Sequence, residues 1–499
     1  MGTNTIKQML NAASAAKLLK NLGNDQEVQN KSLSHIYNLL GKERGLYTKI
    51  VQTLELKDQS LDINELQKVS PIPNDKIEQL INELYPNNDF HISSEGITAS
   101  LSQVHKVESE KLGTIAIKIK YPDINEQLNS QFRALKLASK GASFISDAFL
   151  NLNDHISNLS NTVTNELDYI REIEIAEKIK DKIHLPFVSI PNYFSDLSTN
   201  DFLVMKWMDG DYFDENLKRL NSDQRKELAK RILRLYLDML FNHYYIQTDP
   251  NQGNFLYNGI NITLLDFGSV IELEKIQTDI LLYIIDATIN EKDIDFFSSF
   301  IALGFDKDKL SHIAECLPFL CKQLFYPFTC DYAVNIKDWD LKGNFEKVLG
   351  KDKMWFRSSG PTYFFNIIRS FFYVLNTLKK LDTTISWKFI LNDQCKDKLN
   401  EARSIKIDEV YNSFTKFSSI AKSLRVLVKE NEKEKVNITL PISAMMELET
   451  IISKEVLDTL NKNGLDLNRI IKRATKNGCR PQELFTLDKE SKNYKVWIE

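Results

Sequence analysis

Apolar residues recur at helical spacing over most of the chain, and a β-type pattern is confined to a short early stretch. Helices are predicted at residues 39–56 and 74–84, which are separated by Pro71-Ile-Pro73. Alternating and β-branched residues then predict two strands, at 100–107 and 114–120, joined by a polar turn. The front of the chain is therefore predicted to be a helical extension followed by a β-hairpin.

Helical patterns return after the hairpin. Residues 124–180 predict a long helical section, 202–207 a short strand, and 222–242 a helix with Leu228, Ile232, Leu235 and Met239 on one face. Asn221 and Gln224 are placed like a capping pair at the start of that last helix.

This order of elements predicts an α+β protein that is mostly helical. Its predicted parts are a helical N-terminal extension (1–92), a small sheet lobe with inserted helices (93–210), a helical lobe (211–428) and a C-terminal helical segment (436–499). The charged run 429–435 is interpreted as the linker before that last segment. Such an order is typical of a bilobal protein-kinase-like fold with additions in front and behind.

Composition and charge exclude several classes of protein. The chain has 499 residues, 42% of them hydrophobic and 26% charged, with a net charge of −4, which gives no reason to expect nucleic acid as a partner. Its five cysteines fit no zinc spacing and are interpreted as free thiols. No run of 18 apolar residues exists, so no transmembrane segment is predicted. Residues 1–24 are basic but lack arginine, so a plain leading helix and a cytoplasmic location, peripheral to a membrane at most, are favoured over organelle targeting.

The candidate chemistry lies between residues 249 and 268. Asp249 is followed five positions later by Asn254, and Asp266 precedes Phe267-Gly268. Protein kinases use this D-x-x-x-x-N spacing for a catalytic Asp and a metal-binding Asn, and the Asp of D-F-G for Mg²⁺. A strand, a turn at Asn258-Gly259 and a return strand would bring the carboxylates of Asp249 and Asp266 to the same end of a hairpin. The sequence therefore predicts a site for a nucleotide triphosphate with Mg²⁺.

A phosphate site also needs a cation, and Lys118 in the strand Ala116-Ile-Lys118 is the candidate. Lys120 points to the same side and is the competitor. The anionic partner is sought in the segment 165–172, where Asp168 and Glu172 share one face of a predicted helix and Glu166 lies about 120° away. One helix could thus serve two lysines from two sides.

The glycine-rich loop of ordinary kinases is missing. The segment before the hairpin contains Gly96, Ala99 and Ser100 instead of a G-x-G-x-x-G pattern. Glycines let backbone amides approach phosphates closely, so residues with a Cβ should change how phosphates bind. This argues against a standard protein kinase.

Taken together, these motifs resemble the UbiB/AarF atypical kinase family, over roughly residues 45–380. Six motifs of that family have similar segments here, in the same order. They are the alanine-rich loop (98–105), the lysine strand (116–122), the E-x-D motif (166–169), the hinge (205–210), the catalytic loop (249–254) and D-F-G (266–268). A further motif of the family, K-x-G-Q on a helical extension, corresponds to Lys49 and Gln52, with Val51 in place of the glycine. Departures also occur at Gln247-Thr248 and Asn251-Gln252, where the family usually has His-Ala and His-Pro.

The resemblance implies roles for particular residues. Lys118, oriented by Glu172, would hold the α- and β-phosphates, Asn254 and Asp266 would hold Mg²⁺, and Asp249 would accept a proton. Ala99 and Ser100 would contact the nucleotide, and the backbone of Lys206, Trp207 and Met208 would hold adenine. Lys49, Gln52, Glu166 and Asp168 would form a lid over the site.

Three functional hypotheses remain open from the sequence. The first is a Mg²⁺-dependent ATPase or atypical kinase coupled to a lipid or quinone precursor, as the resemblance implies. The second is a nucleotide-binding pseudokinase that acts as a scaffold, which Val51 and Gln247-Thr248 favour. The third is a true protein kinase, against which the missing glycine loop counts. The aromatic-rich segment 355–378 is interpreted as core rather than as a lipid-facing surface.

Overall fold

The computed structural model describes residues 72–99, 101–122, 124–126, 128–129, 132, 163–249, 252–407, 423–430, 433–448, 452, 456–457, 459–460, 465–476, 482–489 and 492–499. Contacts divide the chain into two compact units. The first lies within Met1–Leu282, Lys322–Phe345 and Thr362–Asn400, and the second within Tyr283–Cys321, Glu346–Pro361 and Glu401–Glu499. The predicted nucleotide site belongs to the first unit.

The first unit begins with a helix packed on a small antiparallel sheet. The elements are α1 (Asn74–Leu84), β1 (His91–Ile92), β2 (Ile97–Thr98), β3 (Ser102–Ser109), β4 (Gly113–Lys120), α2 (Tyr169–Lys182), β5 (Val188–Ser189) and β6 (Phe202–Lys206). The strand order is β1-β3-β4-β6, with β2 also paired to β3. Ile115, Ile117 and Ile119 of β4 are buried in a cluster that includes Ile77 and Ile81 of α1. The predicted helix and hairpin are confirmed, and strand alternation turns Lys118 to the face opposite this core.

The next elements carry the predicted catalytic motifs. They are α3 (Phe213–Arg219), α4 (Ser222–Leu237), a π-helical turn (Asp238–Asn242), β7 (Tyr245–Gln247), a 3₁₀ turn (Gln252–Asn254), β8 (Phe255–Asn258), β9 (Asn261–Leu264) and β10 (Val270–Glu272). The predicted capping box of Asn221 and Gln224 is present at the start of α4. Gly259 adopts a φ of 60° in the turn between β8 and β9, a conformation that glycine tolerates without strain. The hairpin predicted between Asp249 and Asp266 is therefore confirmed.

Helices dominate the chain from residue 275 to residue 403. They are α5 (Lys275–Ile289), α6 (Phe296–Ala302), α7 (Lys307–Leu310), α8 (Leu317–Leu324), α9 (Tyr326–Thr329), α10 (Leu341–Leu349), α11 (Lys353–Ser359), α12 (Thr362–Leu381), α13 (Trp387–Gln394) and α14 (Lys396–Arg403), with short strands β11 (Val334–Asn335) and β12 (Thr384–Ile385). Helix α12 buries Phe364, Ile367 and Val374, and in the second unit Phe356 packs against Phe300. The core interpretation of the aromatic-rich segment thus holds for these residues.

The C-terminal segment differs from the helical structure predicted for 436–499. Its elements are β13 (Ser423–Glu430), β14 (Lys433–Pro441), α15 (Leu467–Lys476), β15 (Gln482–Lys489) and β16 (Lys492–Ile498). The four strands form an antiparallel sheet in the order β14-β13-β16-β15. Leu424, Val496 and Ile498 are buried in a common core with residues of α15, whereas Arg425 and Lys495 are on the other face.

The charged run 429–435 is not a linker, because its described residues, 429–430 and 433–435, lie in the paired strands β13 and β14. Glu430 faces Lys433 in the register, and Lys435 forms an ion pair of 3.3 Å with Glu430. Charges of alternating sign at the ends of paired strands resemble a solvated linker when only local composition is considered. The strands themselves were missed because β13 pairs with β16, more than 60 residues later, so that no local pattern marks the partner.

No helix among the described residues is long and apolar enough to cross a membrane. The four cysteines within those residues are free thiols, of which Cys321, Cys330 and Cys395 are buried. This agrees with the prediction made from cysteine spacing.

Candidate active site

One lysine, with 11% of its side chain exposed, joins two carboxylates from separate motifs. Lys118 Nζ donates to Asp266 Oδ2 at 2.7 Å and to the Glu172 oxygens at 3.1 and 3.4 Å. The Glu172 side chain is fully buried, whereas that of Asp266 keeps 25% of its exposure. The structure thus brings together three of the predicted site residues, one each from β4, α2 and the D-F-G motif.

The surroundings of this triad control its ionisation. Burial disfavours the charged form of Lys118, but the charges of Asp266 and Glu172 outweigh that effect and hold its pKa well above the usual value. A salt bridge usually lowers the pKa of an acid, but the pKa of Glu172 is raised to about 7. Burial is the main cause and repulsion from Asp266 the second, and together they outweigh the attraction of Lys118. One ammonium shared by two carboxylates does not neutralise both, so the buried Glu172 takes up a proton more readily than an exposed acid does.

Lys120, the competitor of Lys118, has a different environment. Its nearest carboxylate is Asp201 at 3.6 Å, whose side chain is 65% exposed. Burial lowers the pKa of Lys120, and Asp201 offsets this only in part. Both ammonium groups lie over the ring of Tyr169, at 5.3 Å for Lys118 and 4.9 Å for Lys120. Of the two lysines, Lys118 is the one that the fold directs to the D-F-G aspartate.

Contacts from the start of α2 hold residues 266–270, termed here the Asp266 segment. The Phe267 amide donates to Glu172 Oε1 at 3.3 Å. The Arg171 guanidinium donates to the carbonyls of Gly268 at 3.1 Å and Val270 at 2.9 Å. A Cβ on Gly268 would stand 3.2 Å from the Cα of Glu166, so the glycine allows this close approach.

The acids predicted for a lid make the following contacts within the described residues. Glu166 Oε1 accepts from the Ser269 hydroxyl at 2.9 Å, and Asp168 Oδ1 caps α2 by accepting from the Arg171 amide at 3.0 Å. The prediction that Glu166, Asp168 and Glu172 lie on one helix is wrong, because the chain turns at Leu167 and α2 begins only at Tyr169. The N-cap preference of aspartate explains why the helix starts there. Lys49 and Gln52, the other lid residues, lie outside the described residues.

The described residues of the catalytic loop, 247–249 and 252–254, are termed here the Asp249 loop. Gln247 joins the start of this loop to the Asp266 segment: its amide nitrogen donates to the Asp266 carbonyl at 2.9 Å and its oxygen accepts from the Asp249 amide at 3.3 Å. The Asn254 amide nitrogen donates to the Asp249 carbonyl at 3.1 Å, which leaves the side-chain oxygen as the atom that Asn254 can offer to a metal. The Asn254 carbonyl accepts from the Leu265 amide at 3.0 Å, so the two predicted metal ligands are held on neighbouring backbones.

Helix α12 contributes a cation beside Asp249. The Arg369 guanidinium is largely buried, which lowers its pKa, and the charge of Asp249 opposes that change. Four residues further along the helix, the Tyr373 ring stacks on Phe255 with centroids 5.6 Å apart. The Asp249 loop thus lies against α12, a neighbour that no sequence motif indicated.

The proposed nucleotide contacts from the alanine-type loop and the hinge are placed as follows. Ala99 lies in the tight turn between β2 and β3, where its amide donates to the Ser102 carbonyl at 2.8 Å; Ser100 is outside the described residues. Lys206 ends β6, and its Nζ donates to the Leu112 carbonyl at 3.3 Å. The Trp207 amide donates to the Thr114 carbonyl at 3.2 Å, so this amide is already used in strand pairing, and Met208 follows it.

Sequence reasoning missed the residues that position the site without carrying its chemistry. Arg171, Gln247 and Ser269 bond to backbone carbonyls or to another side chain of the site, and Tyr193 OH donates to the Leu265 carbonyl at 3.2 Å. Arg171 carried a weak signal, since it adjoins the acid motif. Gln247 was noted only as a departure from the family, without a positioning role. Ser269 and Tyr193 carried no signal, because such contacts leave no recognisable spacing in the sequence.

The donor set fits a magnesium ion bound together with a nucleotide. Mg²⁺ prefers oxygen ligands and is usually held by one or two protein oxygens plus phosphate oxygens and water. Asp266 and Asn254 offer one carboxylate and one amide oxygen. Within the described residues no group of three or more His, Cys, Asp or Glu side chains could hold a metal, so phosphate oxygens would have to complete the shell.

Comparison with known proteins identifies the class of this site. Residues 57–295 match the ABC1 atypical kinase-like domain, a range that begins after Lys49 and Gln52. The chain therefore carries an atypical kinase-like domain of the ABC1, or UbiB/AarF, family, and the resemblance drawn from the motifs is confirmed. Residues 422–499 match a different family, the C-terminal domain of YvlB-like proteins, over the stretch that contains the four-stranded sheet.

Named relatives agree with this family. The chain is 28% identical over 261 residues to "Atypical kinase COQ8, mitochondrial" of Saccharomyces cerevisiae, covering 48% of this chain and 51% of the relative. It is 29% identical over 296 residues to "Atypical kinase COQ8B, mitochondrial" of Danio rerio, covering 54% and 47%. The chain thus spans about half the length of the curated relatives it matches.

Among solved structures, the Rv3197–erythromycin complex of Mycobacterium tuberculosis is similar at 17% identity with a TM-score of 0.49, over 74% of this chain and 96% of that one. The fold class, an α+β kinase-like fold, is confirmed by the family match together with the sheet lobe and helical lobe described above.

Proposed function

We propose that the domain binds ATP with Mg²⁺ and cleaves the bond to the γ-phosphate, as an ATPase or atypical kinase. The observation that carries the proposal is that Lys118, whose side chain is 11% exposed, bonds both Glu172 and Asp266. A lysine held by a helix carboxylate beside the D-F-G aspartate is the arrangement with which kinases bind the phosphates and the metal of ATP. A purely structural ion pair would not explain why Asn254 and Asp249, the candidate metal ligand and proton acceptor, lie next to Asp266.

Each residue has a role in this proposal. Lys118 holds the α- and β-phosphates and is oriented by Glu172, while Asp266 and the Asn254 oxygen hold Mg²⁺. The metal would supply positive charge to the phosphate oxygens as the bond breaks. Asp249 orients and deprotonates the attacking hydroxyl or water, and Ala99, Ser100 and the backbone of Lys206, Trp207 and Met208 contact the nucleotide. Positioning and charge stabilisation account for most of the rate in such reactions.

The acceptor is proposed from the family alone. The relatives named above are mitochondrial atypical kinases, and the resemblance implies a lipid or quinone precursor as partner of this chain too. The departure from a glycine-rich loop favours nucleotide hydrolysis or a small acceptor over a protein substrate. We place the protein in the cytoplasm, peripheral to a membrane, with Lys49, Gln52, Glu166 and Asp168 restricting access to the site.

The test is Mg-ATP binding and phosphate release for wild type, Asp266→Asn and Lys118→Ala. Each substitution removes a charge that the bound complex requires, so both should lose most nucleotide affinity or turnover. Lys120→Ala is the matched control, because it removes a buried lysine from the same strand and the same face. Unchanged ATP affinity in both site variants would overturn the assignment.

A pseudokinase that binds nucleotide without cleaving it is the second candidate. It is favoured by Gln247, which bonds both the Asp249 amide and the Asp266 carbonyl at a position where the family usually has histidine. This candidate predicts that ATP and Mg²⁺ raise the melting temperature while no phosphate is released, with or without anionic liposomes. Phosphate release that disappears in Asp249→Asn would exclude it.

A further inference from the structure

The Asp249 loop is held from outside by an ion pair between two separate helices. Lys380, near the end of α12, donates to the Asp214 carboxylate of α3 at 2.8 and 3.1 Å. The side-chain amide of Gln252 is assigned the orientation in which its nitrogen faces Asp214 and its oxygen faces Lys380. In that orientation the nitrogen donates to Asp214 Oδ2 at 3.2 Å and the oxygen accepts from Lys380 Nζ at 2.9 Å. Gln252 begins the 3₁₀ turn that ends at Asn254.

The helices that carry the two residues of the ion pair, α3 with Asp214 and α12 with Lys380, are each bonded to neighbouring elements. The β8–β9 hairpin holds α3 through Asn216, whose amide donates to the Gly259 carbonyl at 2.9 Å and accepts from the Gly259 amide at 3.0 Å. The chain just before α3 is fixed by paired backbone bonds between Asp211 and Tyr257. On the other side, Tyr236 OH donates to the Ile367 carbonyl at 3.3 Å and so ties α4 to α12. Asp214 and Lys380 are therefore presented to one amide from two anchored helices.

We infer that Gln252, clamped between Asp214 and Lys380, is the positioning residue that sets Asn254 as a metal ligand in this chain. The Gln252 amide can serve both partners at once, because its nitrogen can donate to the carboxylate while its oxygen accepts from the ammonium. Residues 252–254 form a single short turn, so a fixed first residue limits where the third can lie. The inference rests on the proposed function, since it concerns the metal that Asn254 would share with Asp266.

This clamp addresses a departure noted in the sequence. A proline at the first position of a helical turn restricts the backbone through its fixed φ angle. Gln252 stands where the resembling family has proline, and glutamine has no such restriction. The side-chain bonds to Asp214 and Lys380 provide in this chain the restraint that a ring would otherwise provide.

The experiment measures the Mg²⁺ concentration for half-maximal binding of a fluorescent ATP analogue, together with the affinity of the analogue at saturating Mg²⁺. In Gln252→Ala the Mg²⁺ requirement should rise about two- to fivefold, because the clamp is solvent-exposed and contacts of this kind are modest. The affinity at saturating Mg²⁺ should stay near that of wild type. Lys380→Met should shift the Mg²⁺ requirement in the same direction, and Gln252→Pro should restore it.

The matched control is Lys218→Met, which breaks an exposed ion pair with Glu215 on the same helix as Asp214. It should leave the Mg²⁺ requirement unchanged, and melting temperatures without nucleotide identify any variant that fails to fold. An unchanged Mg²⁺ requirement in Gln252→Ala, with Asp266→Asn still defective, would overturn the clamp and keep the proposed function. If binding of the ATP analogue to wild type did not depend on Mg²⁺, both the clamp and the proposed function would be overturned.

Discussion

The Asp266 segment and the Asp249 loop would face the same nucleotide, yet the chain holds them by different means. The Asp266 segment is bonded by charged groups of α2, of which Glu172 is fully buried and Arg171 contacts two carbonyls. The Asp249 loop is bonded by the neutral amides of Gln247 and Gln252 and by an ion pair whose side chains are 43% and 53% exposed. Charged hydrogen bonds away from water are worth more than neutral or exposed ones.

This difference follows the departures of the sequence from its family. The charged residues of α2 that contact the Asp266 segment agree with the E-x-D motif and its following Arg-Glu. Gln247 and Gln252 of the Asp249 loop instead stand at positions where the chain departs from the family. The chain therefore keeps a firm metal-binding segment and holds its catalytic loop by weaker, substituted contacts. Stability should depend strongly on the first region and weakly on the second.

The largest effect should come from Glu172→Ala. Its removal leaves a hole at a fully buried position and leaves the Phe267 amide without its acceptor, so the free energy of unfolding should fall by about 3 kcal/mol. Urea denaturation measures this change. Glu174→Ala, at an exposed position of the same helix, is the control and should stay within about 0.5 kcal/mol of wild type. Equal losses in both variants would contradict a special role for the buried acid.

Arg171→Met should have the next largest effect. The guanidinium binds two carbonyls of the Asp266 segment, and its loss should lower the free energy of unfolding by about 2 kcal/mol. Lys178→Met removes an exposed charge from the same helix and should change little. If amide hydrogen exchange in residues 266–270 were as slow in Arg171→Met as in wild type, the guanidinium would not be what holds the segment.

The pH dependence of stability gives a finer test of the first region. The pKa of Glu172 is raised from 4.5 to about 7 in the folded protein, so between these values the folded state binds more protons than the unfolded state. Its contribution to stability is therefore greatest below about pH 4.5 and is lost as the pH rises towards 7. Relative to Glu172→Gln, wild type should lose more than about 1 kcal/mol over this window. Parallel stability profiles for the two proteins would show that Glu172 is not protonated there.

The smallest effect should come from the second region, in Gln247→Ala. Two neutral hydrogen bonds are lost at a partly exposed side chain, which should cost about 1 kcal/mol of unfolding free energy. Turnover should fall more than ATP affinity, because the Asp249 amide loses its anchor. Gln79→Ala, an exposed glutamine on α1, controls for loss of the side chain alone. A loss as large as that of Glu172→Ala would remove the contrast between the two regions.

Local patterns predicted the parts of the molecule whose cause is local. Strand alternation in β4 placed Lys118 opposite the isoleucines, and the Asn221–Gln224 spacing placed the start of α4. The turn at Asp168 was misread as continuous helix, since its residue types also occur within helices. Contacts between distant segments, such as Arg171 with Val270 or Lys380 with Gln252, had no periodic signal. The strands of the C-terminal sheet were missed for the same reason.

The arrangement of that sheet affects how the second unit is synthesised. Strand β16 lies between β13 and β15, and the Ser423 and Glu499 backbones bond each other in both directions at the end of the β13–β16 ladder. While the chain is being translated, the β13–β14 hairpin is complete long before its inner neighbour exists, and it exposes an open strand edge during that time. Ribosome-bound chains that stop before residue 492 should therefore be more prone to associate than chains that have released residues 492–499.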